Sequence, residues 1–354
     1  MHMICTFPPP LHGQSMVSES LREHFRGVGY TVSSHDISPG RRRAWRYHAR
    51  RIATVLAAGR SLIVSRDTPV YLSSEAGFGV FYLIYLILCA RLSGKKLILH
   101  HHVFSYIRDY SFWHHVAIRL AGRECCHILL SPYMDEHFRR QFGEQHRRLV
   151  VYNSVFVDRS LRRGHPSHTA SAPLNVGFLG RLERAKGFDV FLDVMRRLKD
   201  EPDFRFVVGG DYANSTYADE LAAIQRQLGE RLHLAGFVDG ERKVEFFSEL
   251  DVLLFPSRYA NEASPMVCYE ALAMGVPVVA ADIGAIGDII TPAAGEVLAL
   301  DDAFAARVTE RLRDLAGDRR RLAEWRHGAA ATFETLDARG QEALRQLTAV
   351  LGEP

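Results

Sequence analysis

Two carboxylates, two cations and a run of histidines are the side chains of this sequence best spaced to do chemistry. Glu262 and Glu270 are separated by seven residues within NEASPMVCYEALAMGVPVVAAD. Between them, Ser264 and Pro265 read as a helix start. The hydroxyl serves as N-cap, and proline is tolerated at the first helical position because its missing N–H would be unpaired there. Met266 to Met274 then reads as a short helix, Gly275 as its left-handed stop and Val276 to Ala281 as a buried strand. Such a helix start presents bare N–H groups and the positive end of a dipole, which together suit a phosphate. Glu262 falls in the loop before that start, and Glu270 lies about one and a half turns inside it. One carboxylate can reach what a phosphate carries, and the other a neighbouring hydroxyl-rich group. A nucleotide sugar has both.

The cations are Arg181 and Lys186, in the loop GRLERAKG between an expected strand, Leu174 to Gly180, and an expected helix, Phe188 to Leu198. Two positive side chains at a strand's carboxyl end can hold a diphosphate and stabilise its charge as a leaving group departs. The loop is no Walker motif, since G-x-x-x-x-G-K-[ST] does not occur, and a clear G-x-G-x-x-G is missing too. Gly210 opens a turn after the strand Phe204 to Gly209. Phe237 ends the expected strand Leu232 to Phe237, and with Val238 it can lie against a base. Gly13, in PPPLHGQS, either lets backbone approach an anionic ligand or is a plain turn. His100, His101 and His102 end the strand Lys95 to His102. Alternation puts His100 and His102 on one face and His101 on the other, so the three cannot converge on one zinc ion. Which of them faces a site stays open.

The elements that must carry these residues alternate between strand and helix along the chain. The first half reads as a strand at Met3 to Phe7, a helix at Ser15 to Arg26 and strands at Ser61 to Val64 and Tyr71 to Ser73. An almost wholly apolar helix, Gly79 to Leu92, is expected by default to be buried, with partial contact with a membrane as the alternative. After the histidine strand come helices at Ser111 to Ala121 and Pro132 to Phe142, with strands at His127 to Ser131 and Leu149 to Tyr152. Arg159 to Ala172 is polar and aperiodic, a linker. In the second half, helices are expected at Tyr217 to Leu228 and Glu241 to Glu249, strands at Asp251 to Ser257 and Gly295 to Leu300, and helix from Asp301 onward. The expected fold is α/β with two Rossmann-like, doubly wound parallel sheets, whose ligands bind at the strands' carboxyl ends. Domain limits are expected at 1–158 and 173–335, with a linker at 159–172 and a terminal segment at 336–354.

G-R-L-x-x-x-K-G, the turn V-V-G-G-D and E-x7-E ahead of EALAMGVPVVA occur here in that order. Together they resemble the signatures of retaining nucleotide-sugar glycosyltransferases of the GT-B fold, family-4 type. The strand end YNSVFVD is similar to the family's Y-N-G-V-D, with serine in place of glycine. The resemblance covers nearly the whole chain and is closest in the second half. It implies two domains facing a cleft and a C-terminal helix, about Asp337 to Val350, crossing back to the first. It implies that Arg181 and Lys186 bind the donor diphosphate, with Gly13 near it and Gln14 where the family has a second glycine. Glu262 would contact sugar hydroxyls, helped by the N–H groups of Ala263, Ser264 and Pro265 as the family's loop does, and Glu270 the ribose. His102 would meet the sugar near the reacting carbon. Neither cofactor nor metal is implied, and no D-x-D sequence occurs. The implied reaction is retention by same-face attack, moving a hexose to a glycan or lipid-linked acceptor in surface polysaccharide synthesis. A phosphorylase or sucrose-synthase relative, or a noncatalytic nucleotide-binding or partner-binding module on this scaffold, are the alternatives.

Composition narrows the rest. The 354 residues suit two domains, and 47% hydrophobic with 24% charged residues is ordinary for a globular protein. A net charge of +3 gives no bulk indication of nucleic acid. Five scattered cysteines, Cys5, Cys89, Cys125, Cys126 and Cys268, without C-x-x-C spacing fit reduced thiols in the cytoplasm. No signal peptide is expected, and the longest apolar run, Val80 to Ala90, is too short to span a bilayer. The basic segment Arg41 to Arg51, RRRAWRYHARR, reads either as a peripheral contact with an anionic membrane through Trp45, Tyr47 and the arginines or as a solvated helix face. Nucleic acid is a weaker third reading, since no recognised module stands beside the segment.

Overall fold

The computed structural model describes residues 1–9, 13–38, 44–65, 68–163 and 173–352; the side chains of 44–47 and 163 are likewise outside the description. The chain divides into two compact units: Met1–Phe156 with Ala338–Pro354, and Val157–Asp337.

The first unit contains β1 (His2–Cys5), α1 (Gly13–Gly27), β2 (Ser33–Asp36), α2 (Ala44–Val64), β3 (Val70–Ser74), α3 (Gly79–Leu92), β4 (Leu97–His101), α4 (Ser105–Arg108), α5 (Phe112–Ala121), β5 (Cys126–Leu129), α6 (Pro132–Phe142) and β6 (Arg147–Val150). Its six strands are parallel in the order β2-β1-β3-β4-β5-β6. Strands β1, β3, β4 and β5 are buried throughout, as expected for a parallel sheet covered by crossover helices. β2, with the sequence SSHD, is a largely exposed edge strand without an apolar pattern to mark it.

The second unit contains β7 (Leu174–Leu179), α7 (Phe188–Leu198), β8 (Phe204–Gly209), α8 (Ala218–Leu228), β9 (Leu232–Gly236), α9 (Glu241–Glu249), β10 (Val252–Phe255), α10 (Met266–Ala273), β11 (Val278–Ala281), β12 (Gly295–Leu298), α11 (Phe304–Gly317) and the start of α12 (Arg319–Leu351). Its strands are also parallel, in the order β12-β11-β10-β7-β8-β9. The winding direction reverses between β7 and β10, so crossovers leave on opposite faces there and a crevice opens at the strands' carboxyl ends. The core cluster is aliphatic and aromatic, with Phe206 from the sheet and Phe188, Phe191 and Phe304 from α7 and α11, which pack on each other over one face of it.

Helix α12 runs for 33 residues, and its portion from Ala338 belongs to the first unit. There Gly340 passes close to Val155, whose Cγ1 would lie 2.4 Å from an added Cβ. Lys96 Nζ donates to the carbonyl of Leu351 at 3.0 Å, and the Tyr30 hydroxyl to that of Gly352.

Three expectations in the first half need correction. Helix α3, expected to be buried, leaves Phe81, Leu88 and Leu92 exposed. Ser61 to Val64 is the last turn of α2, not a strand: Val55, Ala58 and Leu62 are buried at helical spacing, a pattern that four residues read alone cannot show. The last strand of that unit is Arg147–Val150, two residues ahead of the expected Leu149 to Tyr152. Of the basic segment, residues 41–43 and the side chains of 44–47 lie outside the described residues, and the rest is helix α2. Of the linker, Arg159–Arg163 is a 3-10 turn in which Arg162 pairs with Asp337 at 2.7 Å, and residues 164–172 lie outside the description.

Candidate functional site

In the second unit, the loops after β7, β8 and β10 are drawn together by backbone contacts that only glycine permits. Gly187 has φ +73° and packs against Pro256, whose carbonyl oxygen would lie 1.9 Å from an added Cβ. The Arg258 N–H donates to the Ala185 carbonyl at 3.0 Å across the same seam. Gly210, at φ +150°, leaves no room for a Cβ beside Gly180, and its N–H donates to Gly236 at 2.7 Å.

This seam brings Lys186 to Glu262. Nζ lies 2.6 Å from Oε2, and the Ser257 hydroxyl donates to the same oxygen at 3.1 Å. The ammonium also sits 4.8 Å from the centre of the Tyr259 ring, a cation–π contact. The Glu262 backbone is pinned by its own N–H on the Tyr259 carbonyl at 2.8 Å and by the Ala285 N–H on Ala263 at 3.2 Å. The carboxylate is thus held in one place before any ligand arrives.

Helix α10 begins at Met266 as expected, but its cap is one residue later than the expected serine. Pro265 occupies the N-cap position with extended backbone, and the Ser264 hydroxyl pairs with that of Tyr269 at 2.9 Å. The expected serine cap is therefore corrected: the hydroxyl is engaged by a side chain one turn along. Ala263, Ser264 and Pro265 are buried, and Gly275 ends the helix at φ +68°. Inside the helix, Glu270 is 6% exposed, and its Oε1 accepts from Lys243 Nζ on α9 at 2.6 Å. Cys268 is fully buried, and burial, reinforced by Glu262 and Glu270, raises its thiol well above the usual range.

Arg181 differs from these. Its side chain is 68% exposed and pairs with Glu183 at 2.9 Å. Phe237, just past β9, is 55% exposed, whereas its neighbour Val238 is buried. The unit therefore offers two lysine–carboxylate pairs in fixed positions, an exposed guanidinium and an uncovered ring.

Residues 166–327 match the family model described as glycosyl transferases group 1. That segment is a group 1 glycosyltransferase domain. A lipopolysaccharide core biosynthesis mannosyltransferase, LpsB, from Rhizobium meliloti is 33% identical over 165 residues, 42% of this chain and 45% of the relative. An uncharacterized 41.2 kDa protein in the cps region of Klebsiella pneumoniae is 28% identical over 232 residues, 62% of this chain and 61% of the relative. The match thus spans 45% and 61% of these relatives' lengths. Among solved structures, Anabaena HepE in complex with UDP superposes with a TM-score of 0.72 at 17% identity, covering 98% of this chain and 99% of that one. The lipopolysaccharide outer core galactosyltransferase WaaB, in its apo form, gives 0.67 at 17% identity, with the same coverage. These likenesses establish the fold, which is GT-B.

The group 1 domain thus holds Arg181, Lys186, Gly210, Phe237, Val238, Glu262, Ala263, Ser264, Pro265 and Glu270. Gly13 and His102 belong to the first unit. Gly13 is not in a loop but is the first residue of α1, and Gln14 beside it donates to the Ser73 hydroxyl at the end of β3, 2.5 Å away. His102 lies just past β4, its ring 3.9 Å from that of His100. His100 is buried against the Tyr71 hydroxyl at 2.7 Å, and burial lowers its pKa well below the usual imidazole value. His101, on the opposite face, joins Tyr106 at 2.7 Å and His127 at 3.0 Å, and burial pushes it down to about 3. Among the described residues, no cluster of three or more His, Cys, Asp or Glu is placed to hold a metal ion.

Sequence reasoning missed Lys243, Ser257 and Tyr259 in the group 1 domain. Lys243 stands 27 residues before the glutamate it holds, on a different helix. Ser257 and Tyr259 were visible as the end of DVLLFPSRY, but only the folded loop turns them onto Glu262 and Lys186.

Proposed function

We propose that this protein is a retaining glycosyltransferase that moves a hexose from a nucleotide-diphosphate sugar to a glycan or lipid-linked acceptor. The observation that carries the reading is the Lys186–Glu262 pair at the switch point of the second sheet, beside the start of α10. An arriving diphosphate competes for Lys186, the stronger anion drawing the ammonium away and leaving Glu262 to accept from sugar hydroxyls. Arg181, exposed and tied only to a loop neighbour, can swing onto the same phosphates. Glu270, fixed through one oxygen by Lys243, has the other for the ribose hydroxyls. Phe237 offers a face to the base.

The leaving group is stabilised by Lys186, Arg181 and the first N–H groups of α10, which supply positive charge where negative charge develops. We read the reaction as proceeding without a divalent metal on that basis. The acceptor attacks from the face the diphosphate leaves, and a phosphate oxygen takes its proton, so configuration is kept. His102 is assigned to the sugar near the reacting carbon and Gly13 to the diphosphate. Likeness to the named relatives, one from a cps region and one of lipopolysaccharide core biosynthesis, supports surface polysaccharide synthesis. A lipid-linked acceptor would place the enzyme in the cytoplasm, peripheral to the inner face of the membrane.

The test is transfer from α-linked UDP-, GDP-, ADP- and CDP-sugars to membrane extracts, with product configuration read by NMR. An α-linked product, lost in Lys186→Ala and Glu262→Gln, is the expected result. A β-linked product would refute retention. Tight donor binding with no sugar released or transferred would instead assign the chain to a noncatalytic nucleotide-binding module.

A further inference from the structure

Strands β2, β3, β4 and β5 are crossed in one direction along the first sheet, so right-handed connections put α2, α3 and α5 on the same face of it. α3 packs between α2 and α5. It turns Val80, Leu83, Ile87 and Ala90 inward, as an amphipathic helix does, but its outer side is apolar as well. Phe81, Leu88 and Leu92 recur there at helical spacing and are 42%, 40% and 85% exposed. At the amino end of α3, the exposed rings of Phe78, Phe81, Trp113 and Phe112 form one chain, with successive centroids 6.4, 5.0 and 5.1 Å apart. Ile52, Leu56 and Ile63 continue the exposed apolar surface along α2.

The charged side chains of these three helices have one sign. Helices α2, α3 and α5 carry six arginines and no aspartate or glutamate. Arg51 is engaged by Glu75 from the loop before α3, while Arg50, Arg60, Arg91 and Arg119 are exposed. Exposed apolar side chains gathered on one face with a chain of aromatic rings mark an interaction surface.

We propose that the outer face of α2, α3 and α5 docks on an anionic lipid bilayer. The Phe78–Phe81–Trp113–Phe112 rings enter the boundary between headgroups and acyl chains, and the arginines meet the headgroup phosphates. Aromatic rings prefer that depth, and arginines beside it gain from the negative surface potential of anionic lipid. A second copy of the chain fits the face less well, because a self-complementary contact would set like-charged helices against each other. The assignment deepens the peripheral placement of the proposed transferase and says which surface makes it. It differs from the Trp45 and Tyr47 reading of the basic segment in resting on α3 and α5.

The experiment is co-sedimentation of the full chain with vesicles of phosphatidylglycerol and phosphatidylcholine, and with phosphatidylcholine alone, without donor or acceptor. A negative result is thus distinct from a failure of transfer. Binding is expected with the anionic vesicles only, weakening between 0.05 and 0.5 M salt as screening shortens the reach of the arginines from about 14 to about 4 Å. Phe81→Asp with Trp113→Asp, and separately Arg60→Glu with Arg119→Glu, are each expected to weaken binding at least tenfold at an unchanged thermal midpoint. Folded protein that ignores anionic vesicles at low salt, or binds them equally well in both double variants, would overturn the proposal. So would concentration-dependent dimerisation abolished by the aromatic pair of substitutions, which would make the face a contact between copies.

Discussion

Replacing Lys243 with methionine tests whether Glu270 is held as the structure describes. The change keeps most of the side chain's length and removes its charge, leaving a carboxylate only 8% exposed without the ammonium 2.6 Å away. Removing one partner of a fully buried pair costs about 3–5 kcal/mol. Lys243 is 27% exposed, so water at its end of the pair recovers part of that. The range for hydrogen bonds to charged groups, about 1.5–3 kcal/mol, is the better guide, and we expect about 2–3. For a unit of this size that lowers the melting midpoint by about 4–12 °C. Denaturant unfolding, read through Trp325 in the core of the second unit with Trp45 and Trp113 replaced by phenylalanine, isolates the right transition. The midpoint should fall without a change in slope, which would show lost stability and not a looser denatured state. Lys243→Met combined with Glu270→Leu should be less damaging than Lys243→Met alone, because it leaves no stranded charge. A loss below about 0.5 kcal/mol for Lys243→Met, the range of ordinary surface substitutions, would refute the reasoning.

Gly187→Ala sets a Cβ 1.9 Å from the Pro256 carbonyl at a positive φ. It should destabilise the second unit by about 1–3 kcal/mol, the scale of a strained backbone position, and abolish donor binding by moving Lys186, as calorimetric titration would show. The first unit should lose stability as pH falls from 7.5 to 5. His100, His101 and His127 are held neutral by burial, His101 down to about 3, so the unfolded state takes up protons below about pH 6.5 that the folded state does not. Each contributes a slope of up to about 1.4 kcal/mol per pH unit there, and a flat denaturation profile across that window would contradict the burial argument. Glu262→Gln keeps the shape of the Lys186 contact but not its charge. It should lower the turnover of bound donor far more than donor affinity, a split that steady-state kinetics would reveal.

How far the sequence could be read depended on whether a residue's partner lay nearby along the chain. Helices α3, α6, α7 and α9 fall where their apolar spacing, proline and glycine put them, because those signals are local. Strand β2 escaped because an exposed edge of Ser, Ser, His and Asp has no hydrophobic period to find. Ser61 to Val64 misled because a buried stripe needs three turns to declare itself. In the site, Lys186 and Glu262 were singled out separately from loop chemistry and spacing, and the structure adds that they touch. Ser264 looked like a helix cap, but Tyr269 one turn on engages its hydroxyl, and only tertiary packing decides between those partners. Lys243 had no local mark at all. A lysine on an amphipathic helix is ordinary until another helix brings a buried carboxylate to it.

The most direct test of the central claim is the thermal midpoint of the protein with UDP-, GDP-, ADP- and CDP-sugars, alongside Glu270→Ala and Arg181→Ala. Donor at 100 times its dissociation constant adds about 2.7 kcal/mol to the state that binds it. A shift with one nucleotide class, lost in both variants, is the predicted result. No shift with any donor, from well-folded protein, would contradict a nucleotide-sugar site at Lys186, Glu262 and Glu270.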